Sequence, residues 1–278
     1  MDRTHNTEQL PMNDFFGWQH HPFADTYVQK KLWMTQGDER KLDTIKRLLH
    51  HGKSTALCGP SGAGKTTLIH ALISSLDKNV YLPVLLPYAG LPRTGLTRVL
   101  AQALGVDIKG RGVPPITRVQ SHIEALASQA NPRHPVLIVD DAQRIEPDSL
   151  WDLCSLLFQT AKQKVASSLI LVGDENFTRQ LELHTMSPIR SRLTGIMKIN
   201  LMNEHETRQF ILNRLKNAQA PADLFEQEAI ELVAGYTRGN RRGVMNTATV
   251  ALEEAYYHNA KNVTADIFYN SDWFNESE

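Results

Sequence analysis

The residues with the clearest chemistry lie in two short runs. Gly59-Pro60-Ser61-Gly62-Ala63-Gly64-Lys65-Thr66 fits the pattern G-x-x-x-x-G-K-[ST]; it follows the apolar stretch STALC and opens an apolar helical pattern. Glycines and small residues at these places let backbone N–H groups turn inward around phosphate oxygens. The N-terminus of the following helix adds favourable potential, and Lys65 brings an ammonium to the β- and γ-phosphates. Thr66 supplies a hydroxyl ligand for magnesium, and Thr67 extends the nucleotide-binding run. The second run, VLIVDDAQ, ends an apolar segment on Asp140 and Asp141. Asp140 is placed to hold magnesium through water and Asp141 to stand beside an attacking water; the alternative is that the pair caps a helix. The expected site binds ATP and Mg2+ and hydrolyses the nucleotide. Asp141 is one methylene shorter than the glutamate many ATPases carry here, so slow turnover, better suited to a switch than a motor, is expected.

Further positively and negatively charged residues extend this site. Asp174, after the apolar SLILVG, is either a polar sensor facing the γ-phosphate or a turn residue. SPIRSRLTG offers Arg190 and Arg192, either of which could enter a neighbouring subunit's site and stabilise charge on the transferring phosphoryl group, or lie on the surface. Arg242, in GNRRGVMN, could reach back over the phosphates from the start of a helix and couple domain angle to nucleotide state.

The elements that must position these residues follow from the hydrophobic pattern. With 278 residues, zero formal net charge and 41% hydrophobic residues, the chain reads as a globular protein of one or two domains. No apolar run approaches the roughly 18 residues of a membrane span, and MDRTHNTEQL lacks the layout of a secretion signal, so a cytoplasmic location and no membrane partner are expected. Cys58 and Cys154 have no partner spacing and read as small core residues; the adjacent pairs His20-His21 and His50-His51 do not make a chelate. Strand patterns at STALC, NVYLPVLLP, HPVLIV and SSLILVG alternate with helical ones at 38–51, 65–76, 116–130 and 149–161, which implies a parallel α/β sheet. Residues 90–115, rich in glycine and proline, read as loop. From about residue 203 the pattern is helical throughout. The expected organisation is an irregular segment at 1–37 packed on the core, a P-loop α/β ATPase domain at 38–202, a helical lid at 203–262 and a tail at 263–278.

Taken together, Phe16-Gly17 with Pro22-Phe23, GPSGAGKTT, VLIVDDAQ, LILVGDENF, RSRL before INLMNEHET, and GYTRGNRRGVMNTATVALEEAY resemble an AAA+ ATPase of the ExeA/GspA group, which includes the TnsC-type transposition helpers. The resemblance covers nearly the whole chain. Its most specific part is the order of these motifs with G-x-x-R-x-x-N at Gly239, Arg242 and Asn246. It implies a three-layer P-loop sheet domain followed by a small all-α lid, with Asp174 as sensor 1, Arg242 as sensor 2, and Arg190 or Arg192 as the finger. It departs from the group at Asp141 and at Arg241, where proline is common. Members of the secretion branch generally continue into a membrane span, whereas here only a short tail follows the lid. The resemblance therefore favours the branch that forms homo-oligomeric rings or filaments on duplex DNA beside a transposase, the alternative being an ATPase of secretion-complex assembly.

Two segments bear on partners. Arg93, Arg98, Lys109, Arg111 and Arg118 face one acid, Asp107, and could grip DNA phosphates without reading bases, or form a solvated basic loop. In FYNSDWFNESE, Phe268, Tyr269, Trp273 and Phe274 lie among acids, either folded back on the lid or held out to a partner.

Overall fold

The computed structural model describes residues 10–25, 32–86, 90–108, 112–160 and 164–275. Lys109 and Arg111 of the basic segment lie outside the described residues. In chain order the elements are α1 (Met12–Phe16), α2 (Gln36–His50), β1 (Ser54–Cys58), α3 (Lys65–Ser75), β2 (Tyr81–Leu86), α4 (Arg93–Ala103), α5 (Pro115–Ser128), β3 (His134–Val139), α6 (Pro147–Ser155), β4 (Ser168–Gly173), α7 (Glu175–Glu182), α8 (Ser187–Arg190), β5 (Leu193–Lys198), α9 (Glu204–Asn217), α10 (Gln227–Thr237), α11 (Arg241–Tyr257), α12 (Ala265–Asn270) and α13 (Asp272–Asn275). Short 3-10 turns cover Ala142–Arg144 and His184–Met186. Contacts divide the chain into two units, Gln36–Asn200 and the combination of Met1–Thr35 with Leu201–Glu278.

The first unit is an α/β sheet domain. Its strands run in the order β2-β3-β4-β1-β5, and each neighbouring pair is parallel. Parallel neighbours need crossover connections, and the helices that supply them cover the faces of the sheet. Strands β1 and β4 are buried along their whole length and β3 along all but its first residue, which is why they read as unbroken apolar runs. Leu137, Val139, Leu169 and Leu171 pack with Leu100, Ile123 and Leu153 in one continuous core. The register pairs Cys58 with Gly173 and Val139 with Leu171, so the C-terminal ends of β1, β3 and β4 come out along one edge. An open parallel sheet binds ligands at that edge.

Three expectations for this unit differ from what is found. Residues 93–103 form a helix rather than loop: Leu96, Leu100 and Ala101 recur at helical spacing and are buried, and this outweighs the helix-weakening Gly95. The helix expected to reach residue 161 stops at Ser155, and the chain then forms a bridge between Gln159 and Val165. Strand β5 was not expected, because LTGIMK buries only Leu193 fully and so lacks the apolar run of the inner strands.

The second unit is helical. Asn203 starts α9 with a capping box: its Oδ1 accepts from the Glu206 N–H at 2.8 Å, and its own N–H donates to Glu206 Oε2 at 3.0 Å. Ile211, Leu215, Val233, Val244, Ala248, Leu252 and Phe268 fill the core of this unit. The aromatic N-terminal segment is set on these helices rather than on the α/β core. Phe15, Phe16, Trp18 and Phe23 are buried among them, and the buried Arg214 donates through Nε to Pro22 O at 2.6 Å and through Nη2 to Ala24 O at 3.1 Å. Part of that segment, Met12–Phe16, is helical where an irregular path was expected. In the tail, Phe268 is buried and stacks on Tyr236, whereas Trp273 is 69% exposed. Among the described residues no helix is long and apolar enough to cross a membrane.

Candidate nucleotide site

The site is built at the edge where β1, β3 and β4 end. After Cys58 the chain is fixed on two sides: Gly59 N–H donates to Gly173 O at 3.3 Å, and Ile199 N–H donates to Cys58 O at 2.8 Å. Gly59 is required by packing, since a Cβ there would collide with the Ile199 carbonyl. Gly64 is required by conformation, since φ is 97° immediately before α3 begins at Lys65. The loop from Gly59 to Gly64 thus delivers Lys65, Thr66 and Thr67 to the first turn of a helix.

Lys65 Nζ donates to Gly59 O and Pro60 O, both at 2.8 Å, so its ammonium folds over the loop it follows. Partial burial lowers its pKa, and the nearby Asp140, Asp174 and Asp141 oppose that shift. Asp140, Asp174 and Asp141 thus act on this lysine electrostatically. Thr66 Oγ1 donates to Asp140 Oδ2 at 2.8 Å, joining the two residues expected to hold magnesium. Among the described residues there is no group of three or more His, Cys, Asp and Glu side chains that could hold a metal. A hydroxyl and one carboxylate suit magnesium, which keeps waters and takes its remaining ligands from substrate phosphates. These residues fit ATP with Mg2+.

Asp140 extends the sheet hydrogen bonding by donating its N–H to Leu86 O at 3.0 Å, and its Oδ1 accepts from the Asp141 N–H at 2.9 Å. Asp141 then leaves the strand in the left-handed region, φ 52°, and begins the 3-10 turn. Asp174 caps α7 by accepting from the Phe177 N–H at 3.1 Å, and its charge opposes the lowering of the Lys65 pKa. Gln143, which sequence reasoning passed over, lies between these acids. Its Nε2 donates to Asp141 Oδ1 at 3.2 Å and its Oε1 accepts from the Asp174 N–H at 3.3 Å. The available signal was the amide that ends VLIVDDAQ.

The other expected residues are found on α4, α5, α8, the turn after α8, and α11. Arg190 is exposed at the end of α8; Arg192 is exposed and its Nη1 donates to Cys154 O at 3.4 Å. Arg242 is exposed in the first turn of α11, behind the Asn240 cap. Of the basic segment, Arg93 is paired: Nε donates to Asp152 Oδ2 at 2.7 Å and Nη2 to Oδ1 at 2.6 Å, with Asp148 at 3.7 Å. Arg98 is exposed on α4, and Arg118 Nε donates to Val113 O at 3.5 Å. Cys58 and Cys154 are buried; burial raises both thiols, Cys154 to about 11, so neither is a thiolate nucleophile.

Comparison with known proteins bears on the fold. A family model described as an AAA domain matches residues 47–181. The zinc import ATP-binding protein ZnuC of Vibrio vulnificus is 49% identical over 47 residues, which are 17% of this chain and 18% of that protein. The match thus spans less than a fifth of that relative. Among solved structures, the Aeropyrum pernix ORC2 protein in its ADPNP-ADP complexes superposes with a TM-score of 0.70 at 16% identity, covering 88% of this chain and 69% of that one. The Aeropyrum pernix ORC1 protein in complex with DNA gives a TM-score of 0.65 at 16% identity, covering 90% and 67%. The parallel sheet, its P-loop and the helical C-terminal part give this chain the P-loop AAA+ fold, with residues 47–181 matching the AAA domain.

Proposed function

We propose that the chain is an ATP-dependent AAA+ switch that oligomerises, binds duplex DNA without strong sequence preference, and recruits or regulates a transposase. The observation that carries the nucleotide part is the 2.8 Å contact between Thr66 and Asp140 beside the folded-over Lys65. Bound ATP with Mg2+ supplies the phosphoryl group that is transferred to water. In this reading Lys65 exchanges its two carbonyl partners for phosphate oxygens, Thr66 and Asp140 hold the metal, and Asp141 orients the water. Arg190 or Arg192 of a neighbouring subunit completes the site, Asp174 and Arg242 act as sensors, and hydrolysis loosens the assembly.

DNA binding is supported by the fold likeness to an ORC1 protein solved with DNA, and by the exposed Arg98 on α4. The transposase partner rests on the resemblance to the TnsC-type helpers. A second reading, an ATPase of secretion-complex assembly that ignores DNA, is favoured by one observation: Asp152 and Asp148 already neutralise Arg93 of the basic segment. Phosphate release measured with and without duplex DNA separates the two. The expected result is stimulation by DNA that declines as salt rises and is weakened by Arg98→Glu. Turnover indifferent to DNA supports the second reading.

A further inference from the structure

We propose that Gln143 is a positioning residue of this site: it sets where the Asp141 carboxylate stands and ties that position to the Asp174 end of β4. The inference rests on the reading of the site as one that hydrolyses ATP.

Asp141 sits two residues beyond β3 with φ 52°, outside both strand and helix geometry, so neither the pleat of the sheet nor a helical turn aims its side chain. Its side chain is short, and a water-orienting carboxylate acts only from a defined position. Gln143 supplies one: its Nε2 donates to Asp141 Oδ1 at 3.2 Å. The same amide accepts the Asp174 N–H at 3.3 Å.

This double contact selects the residue type. A carboxylate only accepts and a backbone N–H only donates, so the group between them must donate on one side and accept on the other. A primary amide does both in one orientation. Glutamate accepts from Asp174 but repels Asp141, leucine does neither, and asparagine is one methylene short.

Gln143 is itself anchored. Arg144 N–H donates to Asp141 O at 2.9 Å and closes the 3-10 turn, and Gln180 Nε2 on α7 donates to Gln143 O at 3.4 Å. The carboxylate of Asp174 is occupied in capping α7, so any displacement of Asp174 carries its N–H, and with it the amide of Gln143. The chain of contacts from α7 and β4 to Asp141 thus makes the water-orienting group responsive to what happens at Asp174.

The test compares Gln143→Leu and Gln143→Glu with the unaltered chain in ATP turnover and ATP affinity, alone and combined with Asp141→Asn. Both variants are expected to lower kcat by about tenfold to a hundredfold, with ATP affinity within about threefold. Adding Gln143→Leu to Asp141→Asn is expected to cost less than about twofold more, because both act through one carboxylate. Protonated glutamate can donate to Asp141 and still accept from Asp174. The kcat of Gln143→Glu relative to wild type is therefore expected to rise as pH is lowered toward the carboxylic-acid range, while that of Gln143→Leu does not. Turnover of Gln143→Leu within about twofold of wild type, or losses that multiply in the double variant, overturns the role of Gln143 and leaves the hydrolysis reading standing. A wild-type chain that binds ATP without turning it over overturns both.

Discussion

Gly59 shows how little freedom the phosphate loop has. Its missing side chain is a packing requirement, imposed by the Ile199 carbonyl just beyond β5. We expect Gly59→Ala to destabilise the chain by about 1–3 kcal/mol, the usual effect of overpacking, and to weaken ATP binding as the loop shifts. Gly195→Ala is the control, since an added Cβ there meets nothing within 4 Å, and its effect should stay within about 1 kcal/mol. Urea denaturation of both variants checks this, and equal losses would contradict it. At this scale the phosphate loop, Asp140 and Asp141 could be picked out as candidates because residue type and spacing carry the signal. Gln143 was not, because its role depends on a backbone N–H, that of Asp174, which sequence places far away and the fold brings within 3.3 Å.

At the level of elements, burial decided what could be read in advance. Strands β3 and β4 announce themselves as apolar runs, whereas β5, with both Thr194 and Gly195 exposed, becomes a strand only by pairing with β1. Helix α4 was hidden by its glycine and by the proline before it, although Leu96, Leu100 and Ala101 mark its buried face. The start of β3 carries a pH dependence. His134 Nε2 lies 2.8 Å from Ser168 Oγ, and burial lowers its pKa below the ordinary 6.5. Above that ordinary value the ring is neutral in both folded and unfolded chains, so its contribution is fully present. As pH falls below it, the unfolded chain takes up a proton that the folded chain resists, and stability declines down to the depressed folded value. His134→Gln should therefore flatten the loss of stability between about pH 7.5 and about pH 5.5, measured by urea midpoints. An unchanged slope would contradict this assignment.

For the whole molecule, the alternation of strands and helices followed by helices alone gave the division into a sheet unit and a helical unit. The seat of the N-terminal aromatics was not legible, since composition marks a segment as buried without saying against what. Arg214 provides that information: it donates to the carbonyls of Pro22 and Ala24, more than 180 residues away in sequence, at 2.6 and 3.1 Å. Arg214→Met should cost about 1.5–3 kcal/mol, the scale of charge-assisted hydrogen bonds, and expose residues around Pro22 to limited proteolysis, with an unaltered cleavage pattern as the contrary result. The central claim, that the edge formed by β1, β3 and β4 seats a nucleoside triphosphate with magnesium, is tested most directly by calorimetry with ATP and Mg2+. Saturable heat is expected from the folded wild-type chain, and its loss in a folded Lys65→Ala variant. Equal heats from both proteins, or none from the wild type, would contradict it.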